Sequence, residues 1–197
     1  VKPDTTLEEL SESIRGGAVP RNRLVVSIQG DGRDLLAQDL DEALRRPAIE
    51  YDRLDFLTEA TSTVAVEALE TAEQMFAESA AGRSQTANLF TQGHIDEALQ
   101  LLGPCIGTWQ RAFDAVAQVL TLTGLELDVV ESDGVRLTEM VQAWTDQLRQ
   151  IKEAFENKDF VLIADLLEYE FGPTTDRWSG YISCISETIQ DKYSQVA

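Results

Sequence analysis

The segment KDFVLIADLLEYEFGP, Lys158–Pro173, is the most apolar window of the chain and has a sharp end. Placed at about 100° per residue, residues 158–171 read as a helix. Phe160, Ile163, Leu167 and Phe171 fall on one face, and Leu162, Leu166 and Tyr169 on the next. Asp165, Glu168 and the flank near Val161 are left for solvent. A helix that is apolar on most sides belongs in the centre of a core or in an interface between molecules. Leu162, Leu166 and Tyr169 are therefore candidate interface residues. Gly172-Pro173 should break or kink the helix, because proline has no N–H to donate and restricts the residue before it. The helical period resumes at Trp178, Tyr181, Ile182, Ile185 and Ile189. Glu170 falls inside the apolar sector, where an unpaired carboxylate is costly. Either the helix frays and Glu170 reaches water, or Glu170 is a buried structural carboxylate paired with an arginine.

Upstream of this window the helical period holds back to about Ser62. Val64, Ala68, Ala72, Met75, Ser79, Thr86 and Phe90 follow one face. Gln92-Gly93-His94 is a turn, and Asp96-Glu97 suit the positive end of the next helix. That helix carries Ala98, Leu102, Cys105, Trp109, Ala112, Val116 and Val119 as a stripe wide enough to face a core, with Pro104 as a kink point. A third helix carries Leu137, Met140, Val141, Trp144, Leu148, Ile151 and Phe155. Residues 125–131 have the composition of a short strand, expected to join an N-terminal sheet. Phe90, Ile95, Leu101 and Leu102 match Phe155, Phe160, Leu166 and Leu167 at one offset of 65 residues, consistent with two related helical hairpins. The segment from Gly93 to Leu99 looks like the turn of a tetratricopeptide-type repeat, but the rest of that pattern is not sustained.

The first 58 residues differ. Thr5-x-x-Glu8 and Thr6-x-x-Glu9 both fit a capping box. Leu24, Val26 and Ile28 alternate as the buried side of a strand. Gly30-Asp31-Gly32 turns the chain, a helix is expected through Leu35, Leu36, Leu40 and Leu44, and Tyr51 to Thr58 reads as a strand with Leu54 and Phe56 inward. Ile28-x-x-Asp31-Gly32-x-x-Leu35 recurs as Val130-x-x-Asp133-Gly134-x-x-Leu137. The expected architecture is mainly α, α+β overall. A small α-β-α-β portion (residues 1–58) precedes an up-and-down bundle of four long helices (residues 59–197).

Composition narrows the function. With 35 Asp and Glu against 16 Lys and Arg, the net charge of −19 repels nucleic-acid phosphates and anionic membranes and favours basic partners. No stretch approaches the roughly 20 apolar residues of a membrane span. No leader is visible, and Val1 in place of methionine leaves the native start open. Cys105 and Cys184 fit no C-x-x-C pattern and lie on apolar stripes, as buried thiols of a reducing compartment do. A single histidine, His94, rules out clusters that need two histidines from one chain, including paired Glu-x-x-His sites. No nucleophile elbow, phosphate loop or dinucleotide fingerprint is present. No catalytic residue, metal ligand or cofactor is therefore assigned. Trp109, Trp144 and Trp178 are expected in the core, each indole N–H with a partner.

The run FENKDFVLIADLLEYEFGPTTDRW at 155–178 resembles the C-terminal part of a bacterial helical family without assigned activity. Its members carry a similar D-x-V-x-x-A-D-L-L-E-Y-E segment with a tryptophan downstream. The resemblance implies a bacterial, cytoplasmic protein and carries over no site residues. The expected function is a non-enzymatic protein–protein interaction or regulatory module, with a basic protein or a second copy as partner. The alternative is an interhelical cleft for a small molecule or a divalent cation.

Overall fold

The computed structural model describes residues 5–18, 22–35 and 42–194. The chain divides into two compact units, Val1–Val64 and Ala65–Ala197.

In the first unit, helix α1 (Leu7–Ser13) starts at Thr6, whose side chain accepts from the Glu9 amide while the Glu9 carboxylate accepts from the Thr6 amide. Of the two overlapping capping boxes, Thr6–Glu9 is the one that forms. A π turn, Ile14–Ala18, follows. Strands β1 (Arg23–Gly30), β2 (Arg33–Asp34) and β3 (Leu54–Ala60) make an antiparallel sheet in the order β2-β1-β3. The β1–β2 turn places Asp31 and Gly32 at positive φ, 52° and 77°, as tight Asp-Gly hairpins require.

Val26 does not share the buried side with Ile28. Val25 pairs with Thr58 and Ser27 with Leu57, so Val26 is the extra residue of a β-bulge and is half exposed. One inserted residue reverses the alternation, and Val25 packs with Ile28, Leu54, Phe56 and Leu7 instead. Most of the helix expected through Leu36 and Leu40 lies outside the described residues. Leu35 itself is not helical; its amide donates to the Ile28 carbonyl at 3.0 Å.

The second unit is built from α2 (Thr61–Thr91, which begins within the first unit), α3 (Ile95–Thr123), α4 (Leu137–Glu156), α5 (Phe160–Asp165) and α6 (Gly172–Ser194). A π turn, Leu166–Phe171, joins α5 to α6, so the last two run on as one helical path. The protein is mainly helical with a small N-terminal sheet. The core is apolar and continuous, centred on Trp109, Trp144, Phe171, Trp178 and Tyr181. Aromatic packing ties it together: Trp109 stacks on Phe171 at 4.9 Å, Phe76 stacks on Trp178 at 5.3 Å, and Trp144 meets both Trp109 and Phe171 edge-on. The Trp109 indole donates to Ser79 Oγ at 2.8 Å. Trp178 Nε1, against expectation, has no partner among the described residues.

Residues 125–131 do not join the first sheet. Leu127–Val129 is a 3-10 turn, and β4 (Glu131–Ser132) pairs with β5 (Val135–Arg136) as a separate two-stranded ribbon. The recurring Asp-Gly motif does fold alike in both places. Asp133 and Gly134 repeat φ 52° and 77°, and the Leu137 amide donates to the Val130 carbonyl at 2.9 Å, as Leu35 does to Ile28.

The turns of the two helical hairpins also match. His94 N donates to Leu89 O at 2.9 Å and Asp159 N to Ala154 O at 2.8 Å, each pair displaced by 65 residues. Gly93 (φ 80°) and Lys158 (φ 57°) occupy the same left-handed position.

Candidate interaction face on the last helical path

Two features of Lys158–Phe171 depart from a regular helix, and together they define the candidate site. Asp159 caps α5, its side chain accepting from the Leu162 amide at 3.0 Å. From Leu166 the helix widens into the π turn and continues through Gly172-Pro173 without a break. The missing Pro173 N–H would orphan the Tyr169 carbonyl in an α turn or the Glu168 carbonyl in a π turn. Side chains from the first and second hairpins meet this backbone. Arg83 of α2 donates from Nη1 to Leu167 O at 2.6 Å and reaches Glu168 O at 3.5 Å. Thr174 Oγ1 donates to Glu170 O at 2.8 Å, and Gln147 Nε2 donates to Thr174 Oγ1 at 2.9 Å. The expected break at Pro173 is thus replaced by a widened turn in which the Leu167, Glu168 and Glu170 carbonyls are partnered by side chains.

The wide turn also re-aims the side chains. Glu170 is exposed, and it is its backbone carbonyl, not its carboxylate, that is held from within. The buried Glu170–arginine pair does not form. The buried charge is Arg83 itself, which has no carboxylate within salt-bridge distance among the described residues. Leu166 is 4% exposed and belongs to the core, so it is not an interface residue. Its two companions differ: Leu162 is 42% and Tyr169 70% exposed, with Val161 at 68%. Phe155, in the last turn of α4, is also half exposed. Asp165, Glu168 and Glu170 are interspersed among these side chains, exposed and without ion pairs among the described residues. The result is an apolar strip with an acidic border.

Sequence reasoning missed Arg83 and Gln147. Arg83 had a signal: it stands four residues after Ser79 and three before Thr86, a cation on an otherwise apolar stripe. It lies beside Cys105, whose buried thiol is pushed up by burial, with the nearby guanidinium and Thr86 acting the other way. A thiol held protonated is a poor nucleophile. His94 stays at its turn, exposed, with Nδ1 3.2 Å from the Glu97 carboxylate. Among the described residues no three His, Cys, Asp or Glu side chains converge as a metal site would need, and no helix is long and apolar enough to cross a membrane. An open groove of about 730 Å³ lies at the far end of α3, lined by Leu120, Thr121, Leu125, Leu127 and Thr138.

Residues 67–181 match the family described as a domain of unknown function (DUF8042). No curated protein and no solved structure matches the chain.

Proposed function

The chain belongs to the DUF8042 family, and we propose that it works as a non-enzymatic interaction module whose partner is a basic protein. The observation that carries this is the exposure of Val161, Leu162 and Tyr169 on one acidic-bordered helix face. Covering a valine or leucine side chain fully is worth about 1.5–3 kcal/mol, and clustered apolar side chains rimmed by polar ones mark contact sites. The first hairpin supplies an internal comparison. At the positions 65 residues earlier it has Asp96, Glu97 and Pro104 in place of Val161, Leu162 and Tyr169. At two of these three positions the first hairpin is acidic, so the hairpin fold does not itself require apolar side chains at Val161 and Leu162.

Charge selects the partner. Two copies brought together on this face would juxtapose Asp165, Glu168 and Glu170 with their own kind, on chains of net charge −19. Like charges across an interface are costly, which disfavours a homodimer and favours a basic surface. The cytoplasm of a bacterium is the setting in which we place this contact.

The test compares proteins retained by three immobilised chains: the natural one, Val161→Asp/Leu162→Asp, and Asp96→Ala/Glu97→Ala on the matching face of the first hairpin. A protein held by the first and third but lost from the second supports the reading. An identical retained set on all three overturns it. Native mass spectrometry of the natural chain should show a monomer; a dimer abolished by Val161→Asp/Leu162→Asp would replace the basic partner by a second copy.

A further inference from the structure

The Asp-Gly β-hairpin occurs twice in the chain, and its first copy holds a third strand. Gln29 of β1 pairs with Asp55 of β3, and Gly30 with Leu54. At the turn the Asp31 amide donates to Arg53 O, and the Arg53 amide donates to Asp31 Oδ1, both at 2.8 Å. The aspartate therefore lengthens the edge of β1 by one backbone pair, its carboxylate standing where a strand carbonyl would be.

The second copy has the same parts. Gln29, Gly30 and Asp31 correspond to Glu131, Ser132 and Asp133, with the same left-handed turn and the same closing bond from Leu137 N to Val130 O. That bond fixes the alternation of the antiparallel ladder, so the Glu131 N–H and C=O point away from β5. Those groups, the Asp133 N–H and the Asp133 carboxylate have no hydrogen-bond partner among the described residues, and both residues are exposed. Arg136, across the ribbon from Glu131, pairs instead with Glu139. The four groups that hold a strand in the first copy are thus all present and open in the second.

A cavity of about 130 Å³ lies beside this edge, lined by Ser132, Asp133, Val135, Arg177 and Tyr181. Its α6 wall is fixed to the ribbon. The Tyr181 hydroxyl donates to Val135 O at 3.1 Å, and a Cβ at Gly180 would stand 2.5 Å from Ser132 Oγ. Paired residues of antiparallel strands share a face. The side chain opposite Ser132 would therefore lie on this α6 side, as Leu54, opposite Gly30, joins the core of the first unit. Charge selects the next residue. The first copy sets neutral Gln29 against Asp55, whereas the second puts a carboxylate, Glu131, at that place, so a cation fits there. A second copy of the ribbon, edge to edge, would set Glu131 and Asp133 against their own kind. We infer that the outer edge of β4 takes up an extended segment of a partner protein as an added antiparallel strand. Glu131 and Asp133 clasp its backbone as Gln29 and Asp31 clasp Arg53–Asp55, and a lysine or arginine stands opposite Glu131. This edge is a separate surface from the face on Lys158–Phe171.

The experiment titrates the full ¹⁵N-labelled chain with acetyl-Thr-Thr-Leu-Lys-Thr-amide, in which leucine falls opposite Ser132 and lysine opposite Glu131. Amide shifts should concentrate on residues 129–135 and 177–181. N-methylation of the second threonine, which removes the N–H meant for Asp133 Oδ1, should weaken binding about tenfold, the loss of one hydrogen bond to a charged group. Asp133→Gly keeps a residue suited to the left-handed turn and should weaken binding by a similar factor, while Glu168→Ala on the other surface leaves it unchanged. Glu131→Lys should reverse the preference, favouring the peptide with glutamate in place of lysine. Shifts spread over the acidic helix faces, or an affinity indifferent to N-methylation, would reduce the contact to charge attraction and overturn the added strand. Shifts confined to residues 54–60, or none at millimolar peptide, would overturn it as well.

Discussion

Gly172 is a helical glycine whose replacement by alanine should destabilise the protein. In an ordinary helix interior the change to alanine gains about 1 kcal/mol, and Gly172 has helical φ and ψ of −56° and −63°, so its backbone would accept alanine. The obstacle is Arg83. A Cβ at Gly172 would stand 2.8 Å from Nη1 and 3.1 Å from Cζ and Nη2. The guanidinium must move, and its hydrogen bond to Leu167 O goes with it. A hydrogen bond to a charged group contributes roughly 1.5–3 kcal/mol, so the net effect of Gly172→Ala is a loss of about 0.5–2 kcal/mol. In an Arg83→Ala background the obstacle is gone, and the same change should stabilise by up to about 1 kcal/mol. The coupling of about 1.5–3 kcal/mol is large for a neighbouring pair and measurable by a double-mutant cycle. Urea unfolding followed by tryptophan fluorescence is the assay, since all three tryptophans lie in the helical unit. If Gly172→Ala stabilises the natural chain, or has the same effect in both backgrounds, Arg83 is not what holds the π turn.

Leu166→Ala should cost about 2–5 kcal/mol as a core truncation, whereas Leu162→Glu should leave the unfolding free energy within about 0.5 kcal/mol of that of the natural chain; thermal or urea unfolding of each separates core from surface. Lys158→Gly should stabilise by up to about 1 kcal/mol, because glycine relieves a left-handed residue, and Gly93→Lys should destabilise by a similar amount, both read as shifts in melting temperature. Tyr181, whose hydroxyl donates to Val135 O, has its pKa raised chiefly by burial, with Arg177 opposing and Glu139, Asp133 and Glu131 adding to the rise. Its contribution to stability is present below the ordinary tyrosine pKa of about 10 and is lost as pH rises through the higher folded value. Unfolding measured at increasing alkaline pH should show a fall in stability that is smaller in Tyr181→Phe.

Most helices were legible because their apolar period is strong, as in Ala98, Leu102, Cys105 and Trp109, and the Thr6–Glu9 box and both Asp-Gly turns were legible because their chemistry is local. The misplaced side chains at Glu170 and Val26 share one cause: a single extra residue. A wheel turned at a constant 100° per residue keeps Glu170 in the apolar sector and groups Leu166 with Tyr169, yet the π turn carries Glu170 out and parts those two. The bulge at Val26 does the same to a strand. The trace in the sequence is the change of offset from 65 in Leu102/Leu167 to 66 in Val116/Ile182 and Val119/Ile185. The separate β4–β5 ribbon was not legible, because two-residue strands leave no period to read.

Which hairpin carries the contact can be read directly by hydrogen–deuterium exchange of the full chain with and without a protein it retains. Binding on the acidic-bordered face predicts added protection over residues 155–171, with the corresponding residues 90–105 of the first hairpin unchanged. Equal protection of both hairpins, or protection that leaves 155–171 untouched, would contradict it.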